Sequence, residues 1–369
     1  MVELRMAGKN LPAVLRDVVD YRKSGLSLNH VVGCPLDCGY CVRHLFDNYD
    51  MKKPHLIMSD DNAVETLVTH WAFRANTTPL QIFNRATDPF LPGVKDHLFA
   101  CLEALDAKGL SNPMLVITRW HIGPDDVTRL EGLSNLRVTV LITWSGIDDQ
   151  RIEPVDSAIA ERSLSTLANH KRRTKSVLYW RPLIAGLNDT DRHLRRASEL
   201  AEMADATAFT GLFYREQIKA HFKAAGVPEM YDTIARRKIL PRELELKIIA
   251  AFGMRPLFRK TSCAVAFAHG IADYNGHFGI REVCDICPAR QLAICARLHV
   301  RPNPETVTAL AASVGLDTSD IRISERNIEV LGSQEQQRYF MQHALNYQVH
   351  DRAQPHHHGR HGRAEVGWE

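Results

Sequence analysis

The sequence predicts an α/β fold: a partial (βα)6 TIM-like barrel followed by a mainly helical C-terminal extension that carries a second metal site. Three observations predict it. Apolar, β-branched runs alternate with helical patterns from about residue 27 to residue 215, the pattern of parallel strands joined by crossover helices. Six such units are present instead of eight, so the barrel is incomplete and open on one side, with room for a bulky substrate. Cysteines then concentrate in two places, three within residues 34–41 and four within 263–295. In a reducing compartment that distribution points to metal and not to disulfides.

The elements follow in order. Residues 1–26 read as a helical lead-in. SLNHVV (27–32) is the first strand and runs into the first cysteines. LQIFN (80–84), MLVITRW (114–120), RVTVLITW (137–144), SVLYWRP (176–182) and ATAFTGLFY (206–214) are further strands. AVETLVTHWAF, KDHLFACLEALDAKG, SAIAERSLSTLANHKRR and DRHLRRASELAEMA read as the helices between them, with Lys108-Gly109 as a C-terminal stop and Asp189-Thr190-Asp191 as an N-cap region. The barrel spans 27–215. The extension, 216–347, starts with amphipathic helix (216–260), carries the cysteines in 261–300, and ends in one or two more helices. Residues 348–369 read as a disordered His-rich tail containing His356, His357, His358 and His361. Cys101, in HLFACLEAL, falls on an apolar helix face and reads as a small buried hydrophobe.

Composition narrows the function. The 369 residues are 45% hydrophobic and 24% charged, an ordinary globular balance. No run approaches eighteen uninterrupted apolar residues, so no membrane span is expected. The N-terminus, MVELRMAGKNLPAVLRDVV, mixes charges among its apolar residues and lacks a signal-peptide core, so a cytoplasmic location is expected. A net charge of +3 and the lack of interleaved aromatic and basic segments leave nucleic acid possible but not favoured. The basic clusters Lys171-Arg172-Arg173 and Arg236-Arg237-Lys238 read as solvated helix faces, with contact to a phosphate-bearing partner as the alternative.

The chemistry lies in VVGCPLDCGYCVRH (31–44). Cys34, Cys38 and Cys41 form C-x3-C-x2-C. Three thiolates in one loop can hold three irons of a [4Fe–4S] cube and leave the fourth iron open to a ligand. A zinc site completed by a remote residue such as His44 is the alternative. In barrels of this kind ligands bind at the C-terminal ends of the strands, which puts the cysteine loop at the mouth. Farther on, Cys263, Cys284, Cys287 and Cys295 form C-x20-C-x2-C-x7-C. They supply four thiolates for a second [4Fe–4S] cluster or a structural zinc, with His269 or His277 as substitute ligands. RKTSC (259–263) and Asp273-Tyr274-Asn275-Gly276 are placed near the substrate cavity by position alone.

C-x3-C-x2-C after the first strand of a βα array resembles the radical S-adenosylmethionine (SAM) superfamily. RATDPFLP (85–92), ITWSGIDDQRIEP (142–154) and RPLIAGLND (181–189) are similar to segments of its spore photoproduct lyase-like branch, over about residues 25–215. The resemblance implies that SAM chelates the open iron and is cleaved reductively to a 5′-deoxyadenosyl radical. That radical would abstract hydrogen from a small metabolite or from a peptide in natural-product biosynthesis, with flavodoxin or ferredoxin as electron donor. A nucleotide- or nucleic-acid-modifying enzyme is one alternative, and a non-catalytic iron–sulfur or zinc protein another. Tyr40 would lie beside adenine. Asn84, Arg85, Thr87 and Asp88 stand where the superfamily has the Gly-Gly-Glu segment that receives the methionine amine. Thr143 and Ser145 would meet the ribose, Arg181 the methionine carboxylate, and Ile184 and Gly186 the adenine face. Many members carry an auxiliary cluster in a C-terminal extension. The branch's ordinary pattern lacks one, so DNA repair is not expected.

Overall fold

The computed structural model describes residues 4–7, 11–232, 234 and 238–354. In chain order its strands are β1 (Val19–Arg22), β2 (Gly25–Leu28), β3 (Val31–Val32), β4 (His55–Leu56), β5 (Leu80–Ile82), β6 (Pro113–Thr118), β7 (Arg137–Trp144), β8 (Lys175–Leu183), β9 (Ala206–Gly211), β10 (Leu257–Phe258), β11 (Arg322–Ile323), β12 (Asn327–Val330) and β13 (Gln348–Asp351). Eight of them form one sheet in the order β1-β2-β5-β6-β7-β8-β9-β10. β1 pairs antiparallel with β2, and the later neighbours pair in parallel. The chain is a mixed α/β protein on a largely parallel sheet.

The strand sequences explain this arrangement. β7, RVTVLITW, is buried at every position after the first, as expected of a parallel strand covered on both faces. Val140, Ile142, Leu178 and Trp180 face outward into the main core. There they meet Leu102, Leu130, Leu164 and Leu200 of the helices Lys95–Ala107, Pro124–Glu131, Ser157–His170 and Asp191–Ala201. Each such leucine, fully buried, contributes about 1.5–3 kcal/mol relative to exposure. The alternate residues Leu115, Leu141, Val177 and Ala206 pack on Cys263, Ala264 and Val265 of the helix Thr261–His269. The C-terminal segment therefore covers the inner face of the sheet. Register sets Thr143 opposite Tyr179 and Tyr179 opposite Ala208, one row near the C-terminal strand ends.

Several expectations are corrected. Among its described residues the N-terminal lead-in contains one short helix, Ala13–Arg16, and then gives the sheet its antiparallel edge, β1. Gly25 makes that hairpin possible: its φ is +139°, and a Cβ there would lie 2.3 Å from the Pro79 carbonyl oxygen. The first predicted strand stops at Leu28 and not at residue 32. The extension is less helical than expected, because β10 adds a seventh strand to the parallel run and β11, β12 and β13 form their own sheet. β13 lies in the segment read as disordered tail. It is held by parallel pairing to β12 and by burial of Val349. The histidines of the tail lie outside the described residues.

Lys171 is not on a solvated face: it is ion-paired with Asp205. Arg173 donates from its backbone N–H to Glu131 at 2.9 Å. Arg236 and Arg237 lie outside the described residues, whereas Lys238 lines an interior cavity. Among the described residues no helix is long and apolar enough to cross a membrane.

Candidate functional site

The cysteine loop is held first by its backbone. Gly33 has φ +99°, and a Cβ there would lie 2.2 Å from the Lys53 carbonyl oxygen. The N–H groups of Gly33, Cys34 and Gly39 donate to the carbonyls of Ala86 (3.2 Å), Met51 (2.8 Å) and Ile152 (2.9 Å). Arg43, only 3% exposed, closes the loop. Its guanidinium donates to the carbonyls of Cys34 (3.0 Å), Asn48 (2.8 Å), Tyr49 (2.6 Å) and Met51 (3.1 Å), a use suited to its rigid five-donor fork. Cys34 and Cys38 are buried and Cys41 half-buried. All three border one cavity of about 620 Å³. Burial pushes the Cys34 and Cys38 thiols up, Cys38 well above its ordinary value although Arg119 opposes the shift. Metal binding there has to displace protons.

Tyr40 is anchored by its hydroxyl. The phenol donates to Glu153, Arg119 reaches the same hydroxyl, and Arg119 pairs with Glu153 at 3.0 Å. Glu153 also lies 3.9 Å from the Cys38 sulfur. Burial opposes the charge on Arg119, but Cys38, Tyr40 and Glu153 hold it protonated. Asp88 is likewise engaged: its carboxylate accepts from the Thr118 hydroxyl (2.6 Å), the Phe90 N–H (3.0 Å) and the Arg119 N–H (2.9 Å). Phe83, which starts this turn, has φ +57°, a strained backbone for a bulky residue.

The residues expected around SAM divide into two sets. Asn84, Arg85, Thr87, Asp88, Thr143 and Arg181 line the cavity together with Tyr40. Of these, the Thr87 and Thr143 hydroxyls and Arg181 Nε are buried without a hydrogen-bond partner among the described residues. Asn84 donates to Gln81 (2.8 Å), and Arg85 pairs with Asp20 (3.4 Å) and donates to the Asp17 carbonyl (2.9 Å), so both brace the wall. Ser145, Ile184 and Gly186 form a different feature. Asn188 donates to the Ser145 and Pro182 carbonyls (2.6 and 2.8 Å) and accepts from the Ile184 N–H (2.9 Å), tying the ends of β7 and β8. The Ser145 hydroxyl accepts from the Ile147 N–H at 3.2 Å. Ile184 packs with Cys38 and Tyr40 behind the loop, and Gly186 takes the turn at φ +82°. None of these three is among the residues that line the cavity.

The second cysteine group also comes together. Cys263 lies on the helix Thr261–His269, Cys284 at the end of Arg281–Cys284, Cys287 in the following loop and Cys295 on Ala289–Leu298. The Cys263 thiol is raised first by burial and then by Asp273 and the charges of the other three cysteines. The Asp273 N–H and Gln291 Nε2 point at the Cys295 sulfur, at 3.4 and 3.3 Å. His277 lies 4.0 Å from the Cys263 sulfur. His269 does not join them, because its ring meets the Thr139 hydroxyl at 2.8 Å. Burial opposes ionisation of Asp273, but His277 and the Ser262 hydroxyl hold its carboxyl well below the usual range.

Ligand atoms within 4.8 Å of one another, as one ion requires, occur among the described residues in His30–Asp60–His97 and Cys263–Asp273–His277. The loop thiols are spread more widely. His44, offered as a fourth ligand beside them, stacks on Tyr49 at 3.6 Å in a separate cleft that also contains His221. Cys101 is fully buried, as expected, with its sulfur 3.9 Å from His30 Nε2. Sequence reasoning missed Arg43, Arg119, Glu153 and Asn188. Glu153 and Asn188 sit inside the quoted segments, but nothing in their spacing distinguishes a buried anchor from a surface charge.

No family model matches the chain, and no curated protein matches it. Among solved structures the chain is similar to spore photoproduct lyase. A mutant of that enzyme is 14% identical, over 67% of this chain and 83% of that one, with a TM-score of 0.46. A complex with a dinucleoside spore photoproduct is 14% identical, over 68% and 85%, with a TM-score of 0.48. A mutant with bound AdoMet and dinucleoside spore photoproduct is 13% identical, over 66% and 78%, again with a TM-score of 0.48. Likeness at this level carries no role over to any residue of this chain.

Proposed function

We propose that the chain is a radical SAM enzyme that binds a [4Fe–4S] cluster at Cys34, Cys38 and Cys41 and abstracts hydrogen from a small organic substrate. One observation carries the reading. Three thiols with C-x3-C-x2-C spacing open onto the same cavity as three buried polar atoms without partners among the described residues, the hydroxyls of Thr87 and Thr143 and Nε of Arg181. Such groups cost free energy unless a ligand meets them. The spread of the thiols suits a cube of irons better than one zinc, and His44 is turned away from them. The cavity, about 620 Å³, lies within the range of small-molecule sites, and the sheet would curl round it as an open barrel.

When bound and reduced, cluster and SAM together supply reductive cleavage of the sulfonium to a 5′-deoxyadenosyl radical. The chain's own residues do the rest. Arg43 fixes the loop that presents the thiols. Arg181 pairs with the methionine carboxylate, for which a guanidinium fork is suited. Thr143 and Thr87 donate to polar atoms of the bound SAM. The Glu153–Arg119 pair locks Tyr40 as a wall, and the buried lining keeps water from the reacting centre. Cys263, Cys284, Cys287 and Cys295 hold a second [4Fe–4S] cluster, for which the N–H groups aimed at Cys295 are typical sulfur partners; zinc is the alternative.

The test is direct. Anaerobically reconstituted protein with dithionite and SAM is expected to form 5′-deoxyadenosine, and the variant with Cys34, Cys38 and Cys41 all replaced by Ala is expected to form none. Equal product from that variant sinks the reading.

A further inference from the structure

The cavity has a second end, built from cations. Lys23, Lys238 and Lys260 line it, with Tyr179, Arg181 and Ser262 beside them. Its electrostatic neighbours differ from those of the cysteine loop: Lys23 acts on Lys260 and Cys263 acts on both, whereas Arg43 and Arg119 act on the loop thiols. Lys23 sits in the turn between β1 and β2, with its side chain exposed where it borders the cavity.

Four arginines on the cavity wall are already matched. Arg22 and Arg85 pair with Asp20, Arg119 with Glu153, and Arg259 with Glu245 and Asp285. Among the described residues Lys23, Lys238 and Arg181 belong to no ion pair. Asp273, Cys263 and Glu335 all act on Lys23, but no carboxylate of the described residues comes within ion-pair distance of it. Lys238 donates to the Tyr179 hydroxyl at 3.3 Å, and the Arg181 guanidinium lies 4.5 Å from the centre of the Tyr179 ring.

The electrostatics agree with the geometry. Burial first, and then neighbouring lysines, hold Lys23 and Lys260 below the ordinary lysine value. Burial would raise the Tyr179 hydroxyl, yet Lys238 and Arg181 bring it below the usual phenol value. Gathering like charges inside a protein is unfavourable unless an anion sits among them. A carboxylate needs one guanidinium fork, whereas several ammonium point charges and a hydroxyl suit the oxygens of a phosphate dianion.

We propose that the lysine end of the cavity anchors the substrate and takes a phosphomonoester, so that the enzyme acts on a phosphorylated small molecule. The assignment of this anion as substrate rests on the radical SAM reading; the anion site itself does not. A sugar phosphate and a nucleoside monophosphate share the required dianion.

Calorimetry on anaerobic, reconstituted, SAM-loaded protein tests the proposal, with inorganic phosphate, ribose 5-phosphate and uridine 5′-monophosphate as probes. Wild-type protein is expected to bind phosphate at one site. Lys23→Met and Lys238→Met, which keep the apolar stems, are expected to weaken it about tenfold or more, the loss of one charge-assisted contact. Lys247→Ala removes an exposed lysine elsewhere and is expected to bind as wild type. Whichever organic phosphate binds more tightly identifies the rest of the substrate. Phosphate is also expected to raise the thermal midpoint of the wild-type protein, a readout that needs no variant in the cavity. No binding and no midpoint shift with any probe overturns the proposal. So do Met variants that bind as wild type, or acetate binding as tightly as phosphate. 5′-Deoxyadenosine from the wild type is scored separately. Product without phosphate binding removes the anion site alone; phosphate binding without product removes the radical reading alone.

Discussion

The cysteine end of the cavity is one short loop, its thiols at positions 34, 38 and 41 fixed by local hydrogen bonds and by Arg43. The lysine end is assembled from residues 23, 179, 181, 238 and 260, which meet only because the sheet and its covering helix bring them together. The difference lies in what each chemistry demands. Thiolates that share one cluster must sit at restricted spacings, so the chain carries a readable pattern. A cationic pocket needs only charge, which any segment can deliver, so it leaves no pattern in the sequence. The second cysteine group is intermediate: its C-x2-C is local, but its outer cysteines come from separate helices.

The largest effect separates the two cysteine groups. The variant with Cys34, Cys38 and Cys41 changed to Ala is expected to lose about half of its iron and keep about four irons with matching sulfide, because four other thiolates complete a cube. Full ligation leaves no open iron, so its visible spectrum is expected not to respond to SAM. About one zinc with no iron or sulfide would instead make the second group structural and leave the loop as the one redox centre.

A smaller effect tests how the loop is held. Arg43→Met keeps the volume but removes every donor to four carbonyls. Two charge-assisted hydrogen bonds' worth of stability, about 3 kcal/mol, is expected to go, read as a fall in the urea midpoint. Iron at the loop is expected to fall with it while the second group keeps its metal. Equal loss at both groups would mean that the loop and the extension unfold together, and would remove the contrast between them.

The legible parts share a physical cause. Parallel strands covered on both faces require unbroken apolar runs, so RVTVLITW is recognisable and its bounds are met residue for residue. β1 and β10 were not legible. VDYR has a charge at either side of its tyrosine, and LF is too short to show a period; each is a strand because a neighbour supplies its hydrogen bonds. Thr143 and Arg181 were legible as strand-end polar residues. Ser145 and Ile184 each follow a strand end as well, but serve a bridge built on Asn188, a difference that only contacts reveal.

Arg181 lines the cavity beside Tyr179 and is assigned to the methionine carboxylate, so its loss sharpens the comparison. If it pairs with the methionine carboxylate, Arg181→Ala is expected to weaken SAM binding roughly 10- to 150-fold, the worth of one charged contact of about 1.5–3 kcal/mol. Iron content is expected to stay, since no thiolate is touched. Unchanged SAM affinity with weakened phosphate binding would move Arg181 to the lysine end.

The smallest effect tells a group that waits for a ligand from one that serves the fold. Thr143 and Thr118 both line the cavity, from neighbouring strands. The Thr118 hydroxyl donates to Asp88 at 2.6 Å and accepts from the Trp120 N–H at 2.9 Å. Thr118→Val is therefore expected to cost about 1–3 kcal/mol of stability, because a buried carboxylate loses a donor. The Thr143 hydroxyl is buried with no partner among the described residues. Desolvating such a group already disfavours the folded state, so Thr143→Val, close in shape, is expected to leave the urea midpoint unchanged or slightly raised. Its loss falls on the ligand instead: one neutral hydrogen bond of about 0.5–1.5 kcal/mol, or roughly 2- to 12-fold in SAM affinity. Denaturation and SAM titration of the two variants give four numbers, and the expected pattern is crossed: stability lost at 118, affinity lost at 143. A Thr143→Val protein that unfolds more easily and binds SAM as before would make Thr143 a structural residue and leave Thr87 as the remaining orphan hydroxyl facing the cavity.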